Sequence, residues 1–191
     1  MSLFVVCEGL DGAGKTSSIK KVLEKHKEFV YSKGIGSKTF FGKMARRFPS
    51  TFMFLIELIY ITFRSIKPNL GRNKIVLQDR YDFSVITFVP LANRWYNLII
   101  RKIFCSFLEK PDALVYFSVL LGERIKRLRK EEDNKYHILL AENPNLIKIR
   151  EKEYLNHYNG FNGKKIIIDT TDKSKEKCGE ILEKFVLNLR R

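Results

Sequence analysis

Gly9-Leu10-Asp11-Gly12-Ala13-Gly14-Lys15-Thr16 follows the apolar run Leu3-Phe4-Val5-Val6-Cys7-Glu8 directly and leads into Ser17-Ser18-Ile19-Lys20-Lys21-Val22-Leu23. Gly9, Gly14, Lys15 and Thr16 match G-x-x-x-x-G-K-[ST]. Glycines at these positions let successive backbone N–H groups point inward and cradle phosphate oxygens. An ordinary tight turn would also use glycine, but a buried strand before and a helix after point to a phosphate-binding loop. The motif gives Gly9, Leu10, Asp11, Gly12, Ala13, Gly14, Lys15 and Thr16 to a nucleoside triphosphate. Lys15 is expected on the β- and γ-phosphates and the Thr16 hydroxyl on Mg²⁺.

The rest of the chain alternates strand-like and helix-like runs. Glu28 to Ser32 reads as a short strand, followed by a loop (Lys33 to Ser37). Phe41 to Arg47 reads as a basic helix, and Thr51 to Ile66 as a long apolar helix stopped at Lys67-Pro68. Lys74 to Gln78 is the next strand, ending in Asp79-Arg80-Tyr81. Helical stretches at 84–91 and 94–108 precede a strand at Ala113–Val119. A basic helix from Gly122 to Lys130 runs into the charged stretch Glu131 to Lys135. A helix at Asn145–Tyr158, a strand at Lys164–Asp169 and a helix at Lys173–Leu189 complete the chain. Short strands separated by helices predict a five-stranded parallel sheet with helices on both faces, a three-layer α/β/α arrangement. Ligands then sit beyond the carboxyl ends of the strands. The phosphate loop, Asp79-Arg80 and Asp169-Thr170-Thr171 all fall there. The last group suits either an adenine pocket or a strand-to-helix turn with Asp172 capping the final helix.

A length of 191 residues suits one domain spanning 1–191. Cys7, Cys105 and Cys178 form no C-x-x-C pair, so neither a disulfide framework nor a zinc site is expected. A reducing cytoplasm is the expected location, and Met1-Ser2 runs into the first strand with no signal peptide expected. Phe52 to Phe63 has ten apolar residues in twelve, too few to span a bilayer. The net charge of +15 predicts anionic partners, nucleotides or nucleic acid. No single basic reading element stands out, so nucleic acid is not the expected partner.

The stretch from Phe4 to Thr16, together with Asp79-Arg80-Tyr81-x-x-Ser84, resembles the thymidylate kinase family. Pro111-Asp112 before a strand, the Arg-rich helix after it, and Arg150 with Tyr154 fit in order. The resemblance covers essentially the whole chain. It implies a P-loop NTPase-type kinase that moves the γ-phosphoryl group of ATP onto dTMP, and a homodimer formed through the 51–66 helix. It places Asp11 near the acceptor phosphate, Arg80 as the clamp on that phosphate and Asp79 on Mg²⁺. Asp79-Arg80 also fits a strand-end salt bridge. Tyr60 and Arg64 match an aromatic followed four residues later by Arg. That spacing puts both on one helical face to recognise a base, and it equally suits an interface aromatic beside a solvated Arg. Ser84 and Phe88 are the further acceptor contacts. The basic segment at about 122–140 is implied to be a mobile lid. Because Gly12-Ala13 brings no Arg into the loop, Arg127 and Arg129 are the candidate transition-state cations.

Phosphoryl transfer needs alignment and charge stabilisation more than proton transfer. The second pKa of a monophosphate, ~6, leaves it largely ionised at neutral pH. That agrees with His26, His137 and His157 standing in no motif. Three departures from the family blur the acceptor. The 34–39 loop has no Arg, with Lys38 as a candidate substitute; Thr87-Phe88-Val89 replaces A-Y-Q; and Ser118 stands where Asp is common. dUMP, UMP or another monophosphate is therefore a candidate beside dTMP. Two rivals are a nucleoside kinase, disfavoured because no acid lies between Tyr31 and Leu55, and a non-catalytic nucleotide- or nucleic-acid-binding protein.

Overall fold

The computed structural model describes all residues except 49, 89–94, 131–133 and 191 and the side chains of 86 and 88. Five strands make one parallel sheet: β1 (Leu3–Glu8), β2 (Phe29–Lys33), β3 (Ile75–Asp79), β4 (Ala113–Ser118) and β5 (Lys164–Asp169), in the order β2-β3-β1-β4-β5. Around it lie α1 (Lys15–Leu23), α2 (Phe40–Arg47), α3 (Thr51–Ile61), α4 (Lys67–Leu70), α5 (Asp82–Phe88) and α6 (Trp95–Cys105). α7 (Leu121–Arg129), α8 (Lys135–Ala141), α9 (Pro144–Gly160) and α10 (Lys175–Asn188) follow. The three-layer α/β/α arrangement expected from the sequence is the one found.

β1 lies between β3 and β4, and all six of its residues are buried. Both faces are covered, so it reads as a continuous apolar run rather than an alternating one. Leu3, Val5 and Cys7 meet Ile19 and Val22 of α1 and Leu182 and Val186 of α10. Phe4 and Val6 face Leu55 and Leu58 of α3 and Val85 of α5. Each such side chain contributes about 1.5–3 kcal/mol on burial, and together they fix the strand that ends in the phosphate loop. A third cluster, including Leu10, Leu128, Leu140, Ile147 and Tyr154, packs α7, α8 and α9 over the loop.

Two expectations are corrected, and one helix is found that the sequence reading did not contain. The helix from Thr51 does not stop at Pro68: α3 passes through a π-helical turn, Thr62–Ile66, into α4. Pro68 is the second residue of α4, directly after the π turn, whose i to i+5 bonding replaces the regular α pattern there. α8 has no counterpart in the sequence reading, because seven residues are too few to display a helical period. The final helix is capped by Ser174, which accepts from the Lys177 N–H, and not by Asp172. The Asp169 carboxylate instead takes the Thr171 N–H and hydroxyl, holding a turn that delays the helix start. Among the described residues no helix is long and apolar enough to cross a membrane, and all three cysteines are free.

Candidate active site

The loop after β1 is set by close backbone packing. Gly9 has φ 137°, and a Cβ there would lie 2.4 Å from the Phe117 carbonyl oxygen of β4. Gly14, with φ 77°, turns the chain into α1. Lys15 Nζ donates to the carbonyls of Gly9 (2.6 Å) and Leu10 (3.0 Å). Burial and Arg80 pull its pKa down to about 8, against Asp79, Asp11 and Glu8. Thr16 Oγ1 donates to Asp79 Oδ2 at 2.5 Å, and the Tyr31 hydroxyl reaches the same oxygen at 3.1 Å. Asp79 Oδ1 is buried with no hydrogen-bond partner among the described residues.

Arg80 follows β3 in a left-handed backbone conformation, φ 71°, which a non-glycine residue adopts only where its surroundings hold it. Its N–H donates to the Cys7 carbonyl and its own carbonyl accepts from the Gln78 amide. The side chain crosses to the phosphate loop, where Nη2 pairs with Asp11 Oδ1 and Nη1 reaches the Gly9 carbonyl and the Tyr154 hydroxyl. Burial pushes the Asp11 carboxyl up, but Arg80, His137 and Lys15 outweigh it and hold it well below the usual carboxylate range. Burial likewise opposes the Arg80 charge, and Asp11, Tyr154, Asp79 and Glu8 reverse that effect.

Behind Arg80, Glu8 accepts from the Tyr81 N–H (2.7 Å), the Ser84 N–H (3.3 Å) and Ser84 Oγ (2.6 Å). Ser84 Oγ also bonds the Tyr154 hydroxyl at 2.8 Å. Ser84 is fully buried, so the structure gives this expected substrate contact a supporting place in the Glu8–Tyr154 network. Burial raises the Glu8 pKa to about 7, against its hydrogen bonds and Arg80.

A cavity of about 630 Å³ opens between these groups, within the range of small-molecule sites. Asp11 to Ser17, Asp79 and Arg80 form its floor, with Lys33, Arg127, Lys130, Asn134 and His137 on its walls. Lys38 does not line it; Lys33, paired in register with Asp79 at the end of β2, does. Arg127 donates to the carbonyls of Gly12, Thr170 and Thr171 and to Thr170 Oγ1, while Arg129 is exposed outside the cavity. Arg124 is fully buried, bonding the Asp11 carbonyl and Glu151. A smaller cavity of about 270 Å³ runs from Gly14 and Ser17 past Thr170 to Lys173 and Lys175.

Tyr60 and Arg64 do not line the phosphate cavity. Tyr60 is half-buried against the Phe41 ring at 5.2 Å, and Arg64 is exposed within the π turn, where i to i+5 bonding replaces regular α spacing. The Phe88 side chain and Val89 lie outside the described residues. Glu57 and His137 were missed. Glu57 is fully buried and accepts from the Gly36 and Ser37 N–H groups and Ser37 Oγ, which fixes the loop after β2. Its only signal was a lone acid in an apolar helix.

A parallel sheet in this strand order, with a glycine-rich loop, a buried Lys and a Thr–Asp pair at its carboxyl edge, defines the P-loop phosphotransferase class. A family model described as thymidylate kinase matches residues 7–181. A probable thymidylate kinase of Methanococcus maripaludis is 30% identical, the match covering 97% of this chain and 96% of the relative. The thymidylate kinase of Leptospira borgpetersenii is 30% identical over 99% and 96%, respectively. A solved thymidylate kinase from Candida albicans shares the fold with a TM-score of 0.75 at 17% identity, covering 99% of this chain and 92% of that one. This chain belongs to the thymidylate kinase family.

Proposed function

We propose that this chain transfers the γ-phosphoryl group of ATP to the phosphate of dTMP, giving dTDP and ADP. The observation that carries this reading is the pairing of Asp11 in the phosphate loop with Arg80 after β3, across a cavity walled by cations. Loop N–H groups and Lys15 hold the triphosphate. Thr16 Oγ1 and the Asp79 carboxylate would hold Mg²⁺, a hard cation that takes oxygen ligands, and the unpartnered buried Asp79 Oδ1 fits that role. When bound, the ion would supply charge neutralisation for the phosphates. Arg80 presents its fork of N–H donors to the acceptor phosphate. Lys33, Arg127 and Lys130 offset the repulsion between the two anions, and an ionised acceptor oxygen needs no general base.

The chain acts in this proposal as one kinase domain with the 122–140 segment as its lid. Arg127, which lines the cavity, is the favoured transition-state cation over Arg129. Tyr60, Arg64 and Phe88 remain the candidates for base recognition. Val89 in place of a Gln amide favours relaxed pyrimidine specificity, because a site without polar readers rejects analogues weakly. A nucleoside acceptor would need a carboxylate base, and the Glu57 carboxylate near the relevant loop is consumed by three donors. Exposed Phe52 and Phe63 on the 51–66 helix, with exposed Ile99 and Ile103 on α6, which packs against α3, support a homodimer through these helices. A cytoplasmic location fits the free thiols.

The test is Mg²⁺/ATP-dependent ADP formation with dTMP, dUMP, UMP and free nucleosides. Stimulation by dTMP is expected, and no stimulation by any monophosphate would refute the reading.

A further inference from the structure

α8 meets the phosphate loop through apolar packing of Leu140 and Ala141 with Leu10 and through the polar side chain of His137. Asn134 Oδ1 accepts the N–H groups of Tyr136 (3.2 Å) and His137 (3.3 Å), fixing His137 in the first turn of the helix. His137 lines the phosphate cavity, and its Nε2 lies 3.8 Å from Asp11 Oδ1. That oxygen is the one that pairs with Arg80 Nη2. One carboxylate oxygen is therefore shared between a group from the end of β3 and a group from α8.

We propose that His137 is a positioning residue for the acceptor: its protonated ring takes over the charge of Asp11 and frees Arg80 for the acceptor phosphate. The proposal rests on the monophosphate kinase reading. Arg80 cannot serve two anions fully at once. If it turns to an incoming phosphate while His137 is neutral, Asp11 faces a dianion with Lys15 as its remaining described cationic neighbour. A protonated His137 removes that repulsion without moving the loop. Among the described residues, the charged and titratable groups around the ring come from several neighbouring elements. They are Asp11 from the loop, Arg80 from the β3 end, Lys15 of α1, Lys130 beyond α7, and Tyr136, whose hydroxyl accepts from Arg150 of α9. Asp11 favours the imidazolium, whereas the cations and the α8 N-terminus oppose it. Histidine is the side chain whose ordinary charge change falls between about pH 5 and 8, where such a balance alters acceptor binding.

The experiment measures KM for dTMP and kcat across that pH window in the wild type, His137→Gln and His137→Lys. Dividing each variant's KM by the wild-type KM cancels the ionisation of the acceptor's own phosphate. Gln is expected to raise KM roughly three- to fivefold at the acid end, with the ratio falling towards one at the alkaline end and kcat changing less. Lys, which keeps its charge, is expected to hold KM low at the alkaline end, below the wild type. Ratios independent of pH for both variants would overturn the proposal, as would a loss confined to kcat. Thermal unfolding of both variants checks that the fold is kept, and the Lys variant carries the test if Gln unfolds. Absence of dTMP-dependent ADP formation in the wild type would be a different result, removing the kinase reading itself.

Discussion

The backbone at Gly34 passes so close to Arg80 that a Cβ added at position 34 would stand 1.9 Å from the Arg80 carbonyl oxygen. The loop after β2 and the left-handed turn after β3 are thus fitted to one another by the absence of a single side chain. Gly34→Ala is expected to push Arg80 off its present backbone position, at a cost of about 1–3 kcal/mol or more. Thermal unfolding should show a lowered midpoint and steady-state kinetics a raised KM for the acceptor. An unchanged midpoint would mean that the two loops separate freely.

Arg80→Ala and Lys15→Ala should each reduce turnover by at least ~10²-fold while leaving far-ultraviolet circular dichroism unchanged. Arg80→Lys should recover little, since a point charge lacks the fork that meets two phosphate oxygens. Near-normal turnover in either alanine variant would sink the assignment of both groups to the phosphates.

Glu8 gives a pH signature with a definite sign. Its folded pKa, about 7, lies above the ordinary Glu value of ~4.3, so between these two pH values the folded chain holds a proton that the unfolded chain releases. Its contribution to stability therefore falls as pH rises through that interval, by on the order of 1–3 kcal/mol. Glu8→Gln keeps the shape, with the amide carbonyl still able to accept the Tyr81 and Ser84 N–H groups. The difference in unfolding free energy between Gln and wild type should grow in favour of Gln from pH ~4.3 to ~7. A constant difference across that range would contradict the prediction.

Glu57→Ala should destabilise the fold by about 1–3 kcal/mol, because it removes the acceptor of the buried Ser37 N–H and the half-buried Gly36 N–H and one of the two side-chain partners of the Ser37 hydroxyl. Hydrogen exchange should accelerate at the Gly36 and Ser37 amides ahead of those in β1. Protection unchanged at these two amides would show that Arg46, which donates to the Gly36 and Ser37 carbonyls at 2.6 and 2.8 Å, holds the loop by itself.

The centre of the sheet was legible because β1, β3 and β4 are buried and so spell themselves out mainly in Leu, Phe, Val and Ile. The loop was legible because phosphate chemistry restricts it to glycines, Lys and Thr at fixed spacing. What escaped the sequence depends on long-range packing. The left-handed turn at Arg80 has no local glycine to announce it. Glu57 finds its partners about twenty residues away, on a loop that only folding brings near. Tyr60 and Arg64 were read from a spacing that assumes a regular helix, and the π turn beginning at Thr62 is invisible to that rule. His137 belongs to a helix too short to register, and its meaning comes from Asp11, over a hundred positions earlier.

Arg124 changes how the arginine-rich helix is to be regarded. Its guanidinium joins the main chain of the phosphate loop at Asp11 to Glu151 on α9, so a basic residue that looks like surface decoration is an internal rivet between three segments. Transplanting α7 from a relative, or swapping the whole 122–140 stretch to alter specificity, would carry over the visible arginines and leave Glu151 behind. A working chimera must therefore be cut after α9, with helix, acid and loop exchanged as one module.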